Sequence, residues 1–236
     1  MGQRPARTMG LAALLVGVMC CSAAFADESV QIGQSTAVLL RSTSPTGSVI
    51  LMPGGDGLIN PGPNGEINRL LGNQLVRTRN DYLARGLAVL VADAGIDLAR
   101  AVQFMAQMKG PVTVIATSRG TIRAAVGISR GAKPDALVLT SGFLSAESGN
   151  GPNVISILGT PNLLPPTLVI HNRDDACPFT QPAGVAPFVL WSAGRAHAVW
   201  LSGGNSVGDP CEARAYHGFN GLDAEVVTLA AGFHGH

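Results

Sequence analysis

The residues best suited to covalent chemistry lie around Ser118. The apolar run 112–115 leads into the motif A-T-S-R-G at 116–120, and a segment of helical period continues over 121–129. Small residues two positions before and after a serine permit the sharp strand-to-helix turn that exposes a nucleophilic hydroxyl, as in the G-x-S-x-G pattern, here with alanine first. A serine in this position also fits a simple helix cap, so the motif alone leaves both interpretations open.

Short β-rich runs alternate with segments of helical period from residue 27 onward. Several runs are apolar throughout, which is typical of parallel strands covered on both faces. The alternation predicts an α/β fold with a mostly parallel central sheet and helices on both faces. The predicted strands span residues 35–41, 48–52, 87–92, 112–116, 136–140, 167–171 and 196–201. The predicted helices span residues 67–85, 96–108, 121–129, 183–193 and 224–233.

The ligand site of such a sheet lies at the carboxyl ends of its strands, so the residues after each run are the candidates for chemistry. The segment 143–166 has weak periodicity and reads as a surface excursion too short for a lid domain. No linker divides the chain, so residues 27–236 are predicted to form a single domain.

Several short phrases resemble a group of small exported bacterial hydrolases, dienelactone-hydrolase-like proteins with the α/β-hydrolase fold. The phrases are G-G-D-G at 54–57, L-V-R-T-R at 75–79, T-S-R-G-T at 117–121, D-A-C at 175–177 and Y-H-G-F at 216–219. The resemblance covers nearly the whole chain after residue 26. It implies an α/β-hydrolase domain with minimal or no lid, in which Ser118 attacks an acyl carbon without a metal or organic cofactor. Ala116 and the pair at 94–95 depart from the usual residues of this group.

The resemblance also implies where the catalytic acid lies. In the α/β-hydrolase fold it follows the penultimate strand, often four residues beyond a histidine that closes that strand. Asp175 follows His171 by four residues and is the predicted acid. Asp174 is the alternative, because the loop to Pro178 is one residue shorter than usual. Both aspartates could instead form an Asx turn or pair with Arg173.

His217 stands where this group has its general base, and Gly218 lets the backbone turn sharply behind the ring. The order Ser118, Asp175, His217 is the hydrolase order. Serine is a weak nucleophile, so His217 must take its proton while Asp175 holds the ring tautomer. Of the other histidines, His171 and His197 lie in predicted strands. His234 and His236 lie at the C-terminal end, where a His-x-His pair makes a poor metal site.

By the same resemblance, the backbone N–H groups of Gly55 and Arg119 form the oxyanion hole. Asp56 replaces Gly55 if the loop is offset by one residue. The glycine-rich stretch 54–65 lacks the Gly-Lys-Ser/Thr ending of a phosphate loop. Its oxygen-bearing side chains also lack EF-hand spacing. No cofactor or metal is therefore predicted.

Residues 1–26 have the pattern of a secretory signal peptide. Arg4 and Arg7 precede the apolar run 11–19, and A-F-A follows at 24–26. The run is too short to span a bilayer. The protein is therefore predicted to be exported, to the periplasm or beyond, with no membrane span after cleavage.

Signal cleavage removes Cys20 and Cys21 and leaves Cys177 and Cys211. Two cysteines in an oxidising compartment are expected to pair, the alternative being two separate buried thiols. In the α/β-hydrolase frame the bridge would brace the loop of the acid against the loop of the base.

Composition excludes several classes of protein. Only 13% of the residues are charged, against roughly 25% in ordinary soluble proteins, while 46% are hydrophobic. The chain has sixteen basic and fifteen acidic residues, and the basic residues form no cluster in the sequence. No nucleic-acid-binding surface is therefore predicted. The expected partner is a small acyl compound.

The predicted function is a serine hydrolase of carboxylic esters or related acyl compounds, acting through an acyl-enzyme on Ser118. Thioesterase, peptidase and dienelactone hydrolase activities share the same machinery. An exported, non-catalytic binding protein on the same scaffold is the alternative from another class. Arg77, Arg79 and Arg119 are candidates to bind a substrate carboxylate, and a solvated helix face is the other interpretation of the first two.

Overall fold

The computed structural model describes residues 1–2 and 27–233 and contains one eight-stranded sheet. The strands are β1 (Glu28–Ile32), β2 (Ser35–Leu40), β3 (Gly47–Met52), β4 (Leu87–Val91), β5 (Val112–Thr117), β6 (Ala136–Thr140), β7 (Thr167–Asn172) and β8 (Ala196–Leu201). Their order is β1-β2-β4-β3-β5-β6-β7-β8. The pairs β1–β2 and β2–β4 are antiparallel, and every other pair is parallel. The predicted mostly parallel sheet is confirmed.

Helices cover both faces of the sheet, as predicted. They are α1 (Gln74–Arg77), α2 (Arg79–Ala84), α3 (Leu98–Met108), α4 (Arg119–Ser129), α5 (Val154–Leu158), α6 (Val185–Trp191) and α7 (Asp223–Ala231). Residues from α3 to α6 pack into one apolar layer, and residues from α1, α2 and α7 pack into the other. Alternate residues of a strand serve opposite faces: Ile50 and Met52 lie in the first layer, Val49 and Leu51 in the second. Apolar runs such as β3 are therefore apolar because both faces are covered.

Two elements differ from the sequence prediction. The edge strand β1 was not predicted, because E-S-V-Q-I is short and half polar. The predicted helix 67–85 is two short helices that begin only at Gln74. Leu70 has φ of +57°, outside the helical region, and the Asn73 side chain then caps α1 at Leu75 N.

The segment 143–166 is also different from the predicted surface excursion. It contains α5, and Leu144, Val154, Leu158 and Leu164 are buried in the first apolar layer. The segment thus packs beside the sheet instead of projecting from it. No lid is evident in the part of the chain that the structure describes.

The predicted signal peptide lies outside the described residues apart from Met1 and Gly2, and so do Cys20, Cys21, His234 and His236. Among residues 27–233 no helix combines the length and the apolar character needed to cross a membrane.

Candidate active site

Ser118 lies on a strained turn between β5 and α4. Its backbone has φ of 51° and ψ of −126°, a conformation that non-glycine residues rarely adopt. Gly120 makes the turn possible, because a Cβ atom there would lie 2.2 Å from the Met52 carbonyl oxygen. The small residue predicted after the serine is thus required by the close approach of α4 to the end of β3.

The Ser118 side chain does not serve as a helix cap. The residue occupies the N-cap position of α4, but its side chain makes no capping hydrogen bond. The hydroxyl-bearing carbon instead faces the loop after β3, since a Cβ atom on Gly54 would lie 2.9 Å from Ser118 Cβ. This geometry favours the exposed-nucleophile interpretation of the motif over the cap.

Asp175 and His217 form a buried pair. His217 Nδ1 lies 3.0 Å from Asp175 Oδ2, and the two side chains are 6% and 0% exposed. With its proton on Nδ1 facing the carboxylate, the imidazole keeps the Nε2 lone pair free to accept another proton. Gly218 behind the ring approaches the Ala213 backbone so closely that a Cβ atom would lie 2.3 Å from the Ala213 carbonyl oxygen.

Of the two predicted candidates for the acid, only Asp175 contacts His217. Asp174 is exposed, and its backbone N–H donates to Asn172 Oδ1. Asp175 also makes the Asx turn considered above, because Oδ1 accepts from Cys177 N–H at 3.0 Å. The two interpretations of Asp175 are compatible, since its two oxygens serve different partners.

The carboxyl of Asp175 is strongly acidic for a buried group. Burial alone raises its pKa, but contacts with His171 and His217 and the N–H of Cys177 lower the pKa to about 2, from an ordinary 3.8. A carboxyl whose pKa is depressed on folding stabilises the fold above its unfolded pKa, and this contribution is lost as pH falls through the folded pKa.

We therefore expect the stability of the wild type and that of Asp175→Asn to converge between pH 4.5 and pH 2. Ionised Asp175 contributes about 2 kcal/mol to the free energy of unfolding above this window and nothing below it. Urea unfolding at several pH values measures the difference. Asp174→Asn is the matched control and should follow the wild type throughout. If the free energies of unfolding of the wild type and Asp175→Asn differed by a constant amount over this pH range, the lowered pKa could not be assigned to Asp175.

Thr180 joins the pair and was missed by the sequence reasoning. Its Oγ1 lies 2.9 Å from His217 Nδ1 and donates to Asp175 Oδ2 at 3.3 Å. Ser141, which directly follows β6, supports the loop that carries His217, because its hydroxyl donates to the His217 carbonyl at 2.8 Å. Neither residue belongs to a recognisable motif, so only the folded chain reveals these contacts.

Arg77 braces the loop of His217. Its guanidinium pairs with Asp223 at 2.7 Å and donates to the carbonyls of Gly72 at 2.6 Å and Gly218 at 2.7 Å. The interpretation of Arg77 as part of a solvated face is therefore wrong, and its donors are not free for a substrate. Arg79 is largely buried as well, and it donates to the Val76 carbonyl at 2.8 Å.

The two residues predicted to supply the oxyanion N–H groups, Gly55 and Arg119, lie near Ser118. Gly55, with φ of +58°, lines the same pocket as Ser118, and Arg119 begins α4 directly after it. The first N–H groups of a helix have no partner within the helix. The alternative residue, Asp56, does not line the pocket, and its carboxylate accepts from Leu58 N–H and pairs with Arg69.

A pocket of about 260 Å³ lies at the carboxyl ends of the strands. Ser118 and His217 both line it. Gly54, Gly55, Leu70 and Glu212 are among its other lining residues. Ala94 and Gly95 line a separate cavity beside Arg123. Within residues 27–233, no group of three His, Cys, Asp or Glu side chains is arranged to hold a metal ion.

A disulfide joins Cys177 to Cys211, with an S–S distance of 2.03 Å. The first cysteine lies two residues after Asp175, and the second lies six residues before His217. The bridge therefore ties together the two loops that carry the buried pair.

We expect Cys177→Ala/Cys211→Ala to lower the free energy of unfolding by about 3 to 4 kcal/mol. The bridge closes a loop with a sequence separation of 34, which restricts the unfolded chain. Urea unfolding of the double variant measures the change. The wild type unfolded with and without a thiol reductant is the control, and it should show the same difference. Coincident unfolding curves would contradict this prediction.

No protein-family model matches the sequence, and no curated protein matches it significantly. Several solved structures match the fold. An esterase domain from a Rhodothermus marinus protein has a TM-score of 0.58 and 13% identity, over 87% of this chain and 97% of that domain. An α/β serine hydrolase homologue from Coxiella burnetii has a TM-score of 0.58 and 15% identity, over 87% and 95% of the two chains.

A dienelactone hydrolase from Anabaena variabilis also matches, with a TM-score of 0.53 and 14% identity, over 88% of this chain and 94% of that chain. The chain has the α/β-hydrolase fold. This confirms the fold that the sequence resemblance implied. Because the α/β-hydrolase fold hosts many activities, function has to be argued from the residues of the site.

Proposed function

We propose that this α/β-hydrolase chain is a serine hydrolase of small carboxylic esters. Ser118 attacks the acyl carbon, His217 accepts the hydroxyl proton, and Asp175 holds the imidazole and stabilises its charged form. His217 then returns the proton to the departing alcohol. Water activated by the same histidine cleaves the acyl-enzyme and restores the Ser118 hydroxyl.

The observation that carries this proposal is the pocket shared by Ser118 and His217. The serine is on a strained turn, and the histidine has its Nδ1 side engaged by a buried carboxylate. Strained backbone and buried polar pairs are expensive, and they recur at functional sites. Their combination at one pocket supports catalysis over binding alone.

The oxyanion formed in each step would be held by the N–H groups of Gly55 and Arg119. Arg123 supports this role, because its guanidinium donates to the Gly55 carbonyl at 3.2 Å and to the Pro53 carbonyl. These bonds fix the loop after β3 against α4. They thereby orient the Gly55 amide before the substrate arrives, and such preorganisation is a major source of catalysis.

We expect Arg123→Met to lower kcat by about 10- to 100-fold with little change in KM, because a loosened loop weakens transition-state binding more than substrate binding. Steady-state kinetics on a p-nitrophenyl ester measures the effect. Arg130→Met is the control, since Arg130 is an exposed arginine at the end of the same helix. Equal kcat values for Arg123→Met and wild type would contradict the role of this loop.

The size of the pocket favours short acyl groups. About 260 Å³ is at or below the small end of ligand sites, which usually measure about 300 to 1,000 Å³. Turnover of p-nitrophenyl esters of increasing chain length, with a thioester, a lactone and a peptide, tests substrate class. We expect the acetyl and butyryl esters to be hydrolysed fastest. Absence of turnover above that of Ser118→Ala on every compound would overturn the proposal.

We also propose that the protein is exported. The Cys177–Cys211 disulfide is compatible with an oxidising compartment. The signal peptide predicted at residues 1–26 supports the same conclusion. N-terminal sequencing of the protein purified from its native host should give Asp27 as the first residue, and Met1 would contradict export by this route.

A further inference from the structure

His171 is a buried histidine that the proposed reaction does not use. It lies in β7, directly opposite Trp200 of β8, and the two rings pack edge-on with centroids 5.8 Å apart. Neither ring nitrogen has a hydrogen-bond partner among the residues that the structure describes. A buried polar group without a partner is destabilising, and phenylalanine would fill the same space without that penalty. Packing alone therefore does not account for an imidazole here.

The carboxylate of Asp175 is the charged group that this imidazole faces. His171 Nε2 lies 3.4 Å from Asp175 Oδ2, and both side chains are completely buried. The same oxygen is 3.0 Å from His217 Nδ1. Two imidazoles thus meet on one carboxylate oxygen. The distance of 3.4 Å is long for a hydrogen bond, but a buried carboxylate attracts an N–H dipole strongly at this range.

We propose that His171 is a positioning residue for Asp175. As a neutral imidazole with its proton on Nε2, it directs that N–H at Oδ2 and holds the carboxylate against His217. The inference rests on the proposed function, because it acts through the acid of the triad. A donor on Oδ2 also draws negative charge away from His217, so it limits how strongly Asp175 stabilises the imidazolium.

Among the charged and titratable groups near His171, Asp175 is the one that can accept its Nε2 proton. The loop after β7 contributes Asp175, and the loop after β8 contributes His217. Arg173, also in the loop after β7, has its guanidinium carbon 5.1 Å from the centre of the Trp200 ring. The Arg173 guanidinium therefore packs on the Trp200 ring. It is not among the hydrogen-bond or ion-pair partners of Asp175.

The tautomer of His171 in the wild-type protein is the first test, and it needs no activity. Long-range ¹H–¹⁵N correlation spectra of the protein at pH 7.5 report which ring nitrogen carries the proton, and His171→Gln assigns the signal. We expect a neutral ring with protonated Nε2 and unprotonated Nδ1. A ring protonated on Nδ1 alone, or on both nitrogens, would overturn the proposal whether or not the protein hydrolyses esters.

The pH dependence of kcat/KM is the second test. His171→Phe keeps the ring but removes the donor, whereas His171→Gln can place an amide N–H near the former Nε2. We expect His171→Phe to move the acid limb of the profile upward by about 0.5 pH unit and to lower kcat by about tenfold, with KM within about twofold. His171→Gln should return the acid limb toward that of the wild type. A merely structural role would lower the melting temperature of both variants without moving the limb.

The two hypotheses fail in different ways. If the wild type hydrolyses no ester in a Ser118-dependent manner, the proposed function fails. If the wild type is active but His171→Phe has an unchanged acid limb, the role of His171 fails and the triad stands.

Discussion

Replacing Ser118 by alanine is expected to reduce kcat/KM for p-nitrophenyl acetate by about 10⁴-fold or more, close to the rate without protein. Loss of the nucleophile removes the covalent route, and what remains is the binding and electrostatic contribution of the pocket. The strained φ of 51° at this position is tolerated better by alanine than by larger residues, so the variant should fold. Initial rates at several substrate concentrations give the value.

Ser129→Ala is the matched control for this loss. Ser129 is exposed at the far end of the same helix, α4, and its hydroxyl donates only to the Val126 carbonyl. Its kcat/KM should remain within about twofold of the wild type. If Ser118→Ala had the same substantial esterase activity as Ser129→Ala, Ser118 would be excluded as the nucleophile.

The second large effect is expected at Asp175. Asp175→Asn should lower kcat by about 10³- to 10⁴-fold, because the amide no longer stabilises the imidazolium and can present its N–H to Nδ1, which selects the wrong tautomer of His217. KM should change little, since Asp175 is buried behind the histidine. Steady-state kinetics near neutral pH measures the change.

Asp174→Asn distinguishes this explanation from a general effect of charge in the loop. Asp174 is adjacent in sequence but exposed, so its kcat should stay within about twofold of the wild type. If Asp174→Asn were the damaging substitution and Asp175→Asn the mild one, the acid would have to be reassigned to Asp174.

Much of the fold was predictable from local patterns. Runs such as 136–140 and 196–201 are bounded by turns, and the structure has strands at the same residues. The mostly parallel sheet followed from other runs that are apolar throughout, such as 87–92. The short edge strand β1 and the interrupted helix after residue 67 were missed because pairing with β2 and the turn at Leu70 depend on tertiary context.

The candidate site was predictable where a residue belongs to a motif. The small residues around Ser118 predict a nucleophile at that position. Asp175 and His217 were predicted from the resemblance and from their order along the chain. The supporting residues Thr180 and Arg123 carry no such signal, and His171 marked the position of the acid in the sequence without indicating its contact with Asp175. Each is defined by a partner far away in sequence or by the burial of a loop, and these features arise only when the chain has folded.

The formation of a covalent adduct on Ser118 is the most direct test of the serine hydrolase proposal. The wild-type protein is treated with a fluorophosphonate probe, digested, and mapped by tandem mass spectrometry. The expected result is a single adduct on Ser118, absent from Ser118→Ala and strongly reduced in His217→Ala, because the histidine activates the hydroxyl. An unlabelled Ser118 in folded wild-type protein, or equal labelling of Ser118→Ala, would contradict the proposal.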